Sequence, residues 1–541
     1  MQATFLFLGL LALLGSIASP PRITHITSPS LPGRLTVICG GPWEEARPSL
    51  AAAILPDGPA GSPADNLPLL PTSGSREVKV VQQSHGVLTC LMPDGPFGVV
   101  AVWGHNSTGR GEPVLVNRPE TDWVYPQFPI PGQAFRVLGR NLVGLELYPE
   151  WTKENRPVSY GGYVKSATRV VLRAADGTCR EAAVEKASDY DVRCRVPADA
   201  PPGKHRLYVH NGHGGPHGWA SPLEVEIRGP SPWPTTILDA RKHGAVADGN
   251  ADDAASIQAA LDAAGKGGGG VVLLPRGTYL IGRTLRMPHA MRDYDFDPAR
   301  RPAEGGDCTI VSGPGIGQVR RILDNDARSV QLDRPWSIAP TGESRVLLCQ
   351  YELYHRLLIV DNIIGESGHG VMLWGNSYDT IVDGNRTART VGMSVYGLTH
   401  YDPRCMDIGY FNQVLHNTCS AGRFREPRHA SQTGRGWIGG MSINFGVTGW
   451  AGHNIIGLVI RGNLCEDDSR YLLTATQYQS GQPPHIVGAV LEDNRTAHSR
   501  TAVQIGPGVR AVLRNNRDED VDTRHAGEGM NDCVVLEAAK P

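Results

Sequence analysis

The sequence predicts an all-β protein in which two small β-sandwiches precede a long coil of short parallel strands, its open end closed by one helix. Three observations carry this. From residue 22 to about 230, short β-rich runs such as Val78–Val81, Gly98–Trp103, Arg169–Arg173 and His205–His210 alternate with Pro/Gly/Asn/Asp clusters, the texture of sandwiches. A single amphipathic pattern, Ile257, Ala260, Leu261 and Ala264, follows Asp252-Asp253 and puts its apolar residues on one helical face. Beyond Tyr354 an apolar run ending in Asn recurs, as a degenerate solenoid repeat requires.

The 541 residues bound these elements. That length suits about three or four domains and an ample core. With 65 Gly, 41 Pro and 40% apolar residues the chain is turn-rich yet globular. Charge is nearly balanced, 52 basic against 54 acidic residues, so nothing recruits nucleic acid or an anionic membrane. Only eight of the basic residues are Lys, and none lies between Lys266 and Lys540. At the start, the apolar run Phe5–Gly15 and the small residues Ser16-Ile17-Ala18 read as a signal peptide over 1–18. No later run is long enough to span a bilayer, so the expectation is a secreted or periplasmic protein. Its ten Cys are then permitted to form disulfides.

The first sandwich is assigned to 22–120 and the second to 121–230. Cys90-Leu-Met-Pro93 followed by Gly98–Trp103 and Asn106 matches Cys194-Arg-Val-Pro197 followed by Arg206–His210 and Asn211, a weak internal repeat. Within the second copy, Ile130-Pro-Gly132 leading to Arg136–Asn141 resembles the opening of immunoglobulin-like domains of the transcription-factor type. Pairing inside each domain predicts Cys39–Cys90 and Cys179–Cys194 bridges. Trp103, Trp123 and Trp151 are candidates for glycan stacking, although the preferred reading makes them core or interface aromatics.

Residues 239–281 contain Asp248-Gly249, Asp252-Asp253, Ile257-Gln258, four glycines at 267–270, Val271–Leu274, Pro275, Gly277 and Tyr279-Leu-Ile. This segment resembles the amino-terminal signature of the pectate-lyase-like right-handed parallel β-helix superfamily, which includes rhamnogalacturonases and polygalacturonases. The resemblance implies such a β-helix over 235–541, with its helix plugging the first coil and hiding an unpaired edge. Asp248, Asp252 and Asp253 are read as turn and cap residues in preference to a metal cluster.

The repeat itself is an apolar run closing on Asn362, Asn385, Asn417, Asn463, Asn494 and Asn516. Its shortest spacings give a bare coil of 22 or 23 residues, and Asn at a fixed turn predicts a hydrogen-bonded ladder. Ladder membership would bury Asn385 and Asn494 despite their Asn-Arg-Thr acceptor motifs. Cys419 and Cys465, each two residues after a ladder Asn, should be neighbours in adjacent coils, bonded or as thiols. Cys308 and Cys349 flank a β-rich insertion at about 308–349.

A second motif aligns Gly370–Trp374, Gly392–Tyr396 and Gly440–Asn444. Alternation puts Val371/Leu373, Met393/Val395 and Met441/Ile443 inward, and makes Trp374, Tyr396 and Asn444 an outward column. Such a column serves either as a stacking ladder or as a binding groove. Long insertions flank it and bring Glu366, His400, Tyr401, Asp402, Arg423, Arg425, Glu426, Arg428, Trp437 and Asp467 alongside. Aromatic and Arg side chains suit a sugar polymer, by stacking and bidentate hydrogen bonding. Glycoside hydrolysis needs two carboxylates, for which Asp402, Glu426, Asp467 and Glu366 are the candidates, with Asp402 first. The strand face itself offers Ser394, Tyr396, Ser442 and Asn444, a departure from the polygalacturonase pattern of strand-face Asp residues. Elimination beside a uronate carboxylate would draw on Arg423, Arg425, Arg428 or His400-Tyr401 as base, with Asn444 as neutraliser. The expected partner is a complex polysaccharide, and the Arg-rich loop suits an acidic one. Hydrolysis needs no cofactor or metal, whereas a lyase could use Ca2+. A non-catalytic glycan-binding solenoid is the third reading.

Overall fold

The computed structural model describes residues 19–536 except 44–47, 65–69, 71–73, 150–155, 230–235, 268–269, 284, 286–305, 327–328, 350–352, 366–369, 375, 391, 397–407, 421–422, 425–436, 439, 445–451 and 474–480. The segment read as a signal peptide, 1–18, lies outside the described residues. Two compact units form the chain: residues up to Ile227 together with those from Pro302 onward, and Arg228–Arg301.

In the first unit, a four-stranded sheet in the order Arg22–Ile26, Leu35–Gly41, Val87–Leu91, Lys79–Ser84 faces a five-stranded sheet built on Ser49–Ile54 and Val100–Asn106. Alternation along these strands sends Ile26, Ile38, Leu88 and Cys90 from one sheet against Leu50, Ala52, Val100 and Val102 from the other. Seven strands from Glu120–Tyr125 to Leu223–Ile227 follow. Among them Cys179–Ala187 pairs first with Arg169–Ala174 and then, past an irregularity at Val184/Lys186, with Asp191–Arg195, so one strand serves both halves.

The expected disulfides are not formed: every described cysteine is a free thiol. Register explains both failures. Cys90 lies opposite Thr36, and Cys39 is three residues further along the strand, on the other face. Cys39 therefore joins an apolar cluster with Phe411, and Cys90 joins the sandwich core. Cys194 is buried opposite Val184, five residues from exposed Cys179. Cys419 and Cys465 are direct neighbours on adjacent parallel strands, as thiols.

From Tyr354 the chain returns repeatedly to four strand positions. Tyr354–His355, Leu358–Val360, Ile363–Gly365 and Val371–Trp374 pair in parallel with Ser377–Tyr378, Ile381–Asp383, Arg386–Ala388 and Gly392–Tyr396. Later coils add strands to the same positions until they fuse into Ile486–Glu492 and Arg495–Ile505. Three corners recur, each marked by left-handed backbone. The first holds Arg356, Asp379, Phe411, Gly457 and Gly488; the second Asp361, Gly384, His416, Gly462, Asp493 and Asn515; the third Arg389, Asp467, His498 and Asp520. At the second corner the six predicted Asn residues form an unbroken ladder. Each Oδ1 accepts the backbone N–H and the Nδ2 of the Asn in the preceding coil, from Asn385 on Asn362 to Asn516 on Asn494, at 2.8–3.1 Å. Asn385 and Asn494 are buried, so neither acceptor motif is open to glycosylation.

Residues 307–348 form a four-stranded antiparallel sheet ordered Val330–Leu332, Val319–Asn325, Asp307–Ser312, Arg345–Leu348. In the second unit the helix spans Ala254–Lys266 and buries Ile257 and Ala260. Asp252 Oδ1 accepts the Ala254 N–H at 3.0 Å, Asp253 Oδ1 that of Val246 at 2.6 Å, and Asp248 Oδ1 those of Asn250 and Ala251. These carboxylates are turn and cap acceptors.

The sandwiches are docked on the coils, with one apolar cluster running through both. It contains Val37, Val137 and Tyr190 beside Ile381, Tyr410, Phe411 and Val487. His25 stacks on Phe411 with ring centroids 3.5 Å apart, and burial pushes its imidazole down to about 4, so it docks neutral. Buried Arg140 donates to Asp379 Oδ1 at 2.6 Å and to its carbonyl at 2.8 Å. Asp383 accepts from Tyr190 Oη at 2.8 Å and from the Tyr160 N–H at 2.9 Å, while His416 Nδ1 lies 2.9 Å away.

Candidate functional site

The fourth strand position carries the three Gly-initiated segments. Val371–Trp374, Gly392–Tyr396, Gly440–Asn444 and Arg470–Leu473 lie side by side in parallel, and the second half of Arg495–Ile505 extends the row. Val371, Leu373, Met393, Val395, Tyr471, Leu473, Val503 and Ile505 are buried, which fixes one parity of these four strands as the core face. Trp374, Tyr396 and Asn444 share one register position on the other parity, as the Gly-initiated motif predicted.

Beside this position the connections lengthen. After Trp374 the chain reaches the next strand at Ser377, whereas 397–408, 445–454 and 474–485 separate the corresponding strands of the next three coils. All three leave from the same end of the row. At the opposite end, the connection before Gly440 contains an antiparallel hairpin in which Arg423 pairs with Ile438 and Phe424 with Trp437. The hairpin brings the Arg423 and Trp437 backbones to adjacent rungs, a juxtaposition that spacing alone did not reveal.

Asp467 follows Glu466 at the third corner, in left-handed backbone, and its side chain is 60% exposed with His498 Nδ1 3.9 Å away. Gly440 pairs with Arg470, so Asp467 stands at the entry to this row and Asn444 at its exit. The strand Gly440–Asn444 itself spans roughly 13 Å between the two ends. Glu366, His400, Tyr401, Asp402, Arg425, Glu426 and Arg428 lie outside the described residues. Trp374, Tyr396, Arg423, Trp437 and Asn444 are placed by their strands alone.

Two residues beyond the predicted set share this surface. Arg470, at the strand entry, is half-buried, and desolvation pushes its guanidinium down; its Nε meets no acceptor among the described residues. Gln504 pairs with Leu472 and continues the register row of Met372, Ser394 and Ser442. The signal for Gln504 was hidden because Arg495–Ile505 runs through the third corner as one strand, without the Gly of the 370, 392 and 440 motifs.

A family model described as rhamnogalacturonase A/epimerase, pectate lyase-like, matches residues 237–292. Mannuronan C5-epimerase AlgE1 of Azotobacter vinelandii is 32% identical over 99 residues, 17% of this chain and 6% of the relative. AlgE6 of the same organism is 35% identical over 92 residues, 16% and 9% of the two chains. The chain thus spans only 6–9% of the length of these curated relatives. Among solved structures, the family 28 exopolygalacturonase of Yersinia enterocolitica aligns over 78% of this chain and 100% of its own at 11% identity, with a TM-score of 0.30. The Agl-KA catalytic domain aligns over 76% and 91% at 11% identity, with a TM-score of 0.29. The family match falls on the Asp/Gly-rich segment and supports the pectate-lyase-like resemblance read there. No helix among the described residues is long and apolar enough to cross a membrane.

Proposed function

We propose that this protein is a secreted or periplasmic enzyme that cleaves glycosidic bonds of a complex, acidic polysaccharide, in a groove on the fourth strand position of a right-handed parallel β-helix. The observation that carries this reading is the shared register of Trp374, Tyr396 and Asn444 on three consecutive strands, where the long connections begin. Repeating subsites one coil apart, about 4.8 Å, suit a polymer lying across the strands. Trp374, Tyr396, Tyr401 and Trp437 supply stacking surfaces, and Arg423, Arg425 and Arg428 supply paired donors for carboxylates. In hydrolysis Asp402 protonates the leaving oxygen and a second carboxylate, from Glu426, Glu366 or Asp467, activates water or attacks the sugar, with His400 beside Asp402.

A second reading, proton abstraction beside a uronate carboxylate leading to elimination or epimerisation, is favoured by the strand face itself, which carries Ser394, Tyr396, Ser442 and Asn444 and no carboxylate. The short similarity to mannuronan C5-epimerases points the same way. Among the described residues no group of three or more His, Cys, Asp or Glu could hold a metal ion.

Incubation with acidic and neutral polysaccharides separates the readings. New reducing ends without absorbance from an unsaturated uronate mean hydrolysis, both together mean elimination, and solvent deuterium at C5 without chain cleavage means epimerisation. Asp402→Asn is expected to lower hydrolysis at least about a hundredfold. No change in any sugar across the panel refutes the enzyme.

A further inference from the structure

The outer face of the second sandwich carries a group of aromatic and cationic side chains that neither the core nor the docking to the coils uses. On the edge strand Glu120–Tyr125, Val124 is buried while its neighbours Trp123 and Tyr125 are 53% and 57% exposed. Apolar rings of this size on an edge strand would ordinarily be covered or replaced by charge. Their rings meet edge to face at 6.2 Å, so the pair forms a fixed ledge and not two independent side chains.

Register continues this ledge into a row of cations. Tyr125 pairs with Arg136, Arg136 with Arg193, and Arg193 with Lys186, which places all four side chains on one face across four strands, about 14 Å at the usual strand spacing. Tyr163, 42% exposed, lies over the far end of the row, with the Arg193 guanidinium 5.1 Å and the Lys186 ammonium 5.8 Å from its ring. Of the carboxylates on this face, Glu185 is paired with Arg195 at 2.8 Å, and Asp191 is already engaged as well. It takes a bidentate contact from Arg136 at 3.0 and 2.8 Å and a short hydrogen bond from the Tyr163 hydroxyl. Arg193 reaches it only at 3.5 Å, and Arg193 and Lys186 remain exposed. Asp191 thus holds Arg136 and Tyr163 in place, and the outermost charges of the face are positive.

The geometry points to a second glycan-binding face, distinct from the fourth strand position of the coils: Trp123 and Tyr125 stack on sugar rings while Arg193 and Lys186 meet the carboxylates of a uronate-containing polysaccharide. Stacking platforms serve any sugar polymer, and the cation row selects an anionic one. The inference shares its ligand class with the proposed function but rests on separate residues, so the two fail separately.

Affinity electrophoresis of the full chain in gels containing polygalacturonate, alginate or a neutral glucan tests it. Wild type is expected to be retarded by the acidic polymers and less so by the glucan, with retardation falling as salt rises. Trp123→Ala/Tyr125→Ala should weaken binding to acidic polymer at least about tenfold. Arg193→Ala/Lys186→Ala should remove the preference over the glucan and most of the salt dependence. All four positions are on the surface, and unchanged urea midpoints identify variants that fold. Turnover of short oligosaccharides, too small to bridge both faces, should match wild type in both variants. Failure of wild type to bind any acidic polymer, or wild-type binding by both folded variants, overturns the inference and leaves the catalytic reading standing. Binding lost in the variants of a protein that alters no sugar upholds this face and refutes the enzyme.

Discussion

Replacing Asn463 by Ala is expected to cost about 3–5 kcal/mol, far more than the same change at Asn516. Asn463 sits in mid-ladder with no exposed surface. Its Oδ1 accepts the Asn417 backbone N–H at 2.8 Å and Asn417 Nδ2 at 3.0 Å, and its Nδ2 donates to the Val414 carbonyl at 2.8 Å and to Asn494 Oδ1 at 3.0 Å. Truncation strands two donors on Asn417, itself fully buried, and takes a donor from Val414, at about 1–3 kcal/mol for each buried group left unmade. Asn494 Oδ1 keeps the Asn463 backbone N–H, so the loss stops there. Asn516 closes the ladder at its half-exposed end, where water can replace its bonds to Asn494, and about 1 kcal/mol is expected. Asn463→Asp preserves the acceptor but aims a carboxylate at two other oxygens; it should be at least as damaging at neutral pH and recover in part when protonated. Urea unfolding followed by circular dichroism measures the three. Costs for Asn463→Ala and Asn516→Ala within about 1 kcal/mol of each other would falsify the claim that the ladder's interior bonds hold the coils in register.

Three further outcomes follow from the docked sandwiches and the thiols. Asp189 is fully buried, and burial, opposed by the amides of Asn141 and Val143, pushes its carboxyl up to about 8. The unfolded chain releases this proton near pH 4 and the folded one near 8, so stability falls across that window; Asp189→Asn should flatten the decline, gaining several kcal/mol at pH 8 and little at pH 4. An unaltered pH profile of the urea midpoint counts against the burial argument. Arg140→Ala leaves Asp379 buried with only Arg356 Nη1, at 3.1 Å, among its ion-pair partners, and should cost about 3 kcal/mol. Adding Asp379→Ala should restore part of that loss, and strictly additive costs would show that the pair is not coupled. Maleimide should label Cys179 most readily among the described cysteines of the native protein, and the rest after denaturation without reductant. Cysteines that stay blocked until reduced would contradict the free thiols.

Which features could be read from the sequence follows from how far their causes reach along it. The Asn ladder and the Gly-initiated strands were readable because each coil must present the same residue type at the same turn, so the motif repeats even when insertions intervene. The cysteine pairs were misread because proximity in sequence says nothing of parity: Cys39 and Cys90 belong to hydrogen-bonded neighbours yet face opposite ways. The corners were hidden because Arg356, Phe411 and His416 hold left-handed backbone that composition would assign to Gly or Asn, imposed by the coils on either side. Most residues of the candidate site stand in the insertions, where no repeat constrains them.

The docking of the sandwiches explains the burden that two of the three corners carry. At the first corner Phe411 stacks on His25, and a Cβ at Gly457 would lie 2.7 Å from the Phe411 ring. At the second, a Cβ at Gly384 would lie 2.2 Å from Ser159, and Asp493 pairs with Arg34 at 3.1 Å. Glycine at these positions permits close approach, while Arg140, Asp379, Asp383, Arg461 and Glu492 satisfy the polar groups the contact buries. Arg461 donates to the Leu35 carbonyl and Glu492 accepts the Leu35 N–H at 3.1–3.2 Å, so the start of an inner strand of the first sandwich is bonded to the coils directly. The third corner bears Asp467 and His498, each more than half exposed. Attachment therefore consumes the first two corners, whereas beside the third the contact among the described residues is a single ion pair, Arg156 Nη1 with Glu466 Oε1 at 3.4 Å, between partly exposed side chains. The long insertions lie at the fourth strand position, next to the corner that docking touches least, and where one of them rejoins the coils His453 donates to the Val311 carbonyl and its ring meets that of His85 at 4.7 Å.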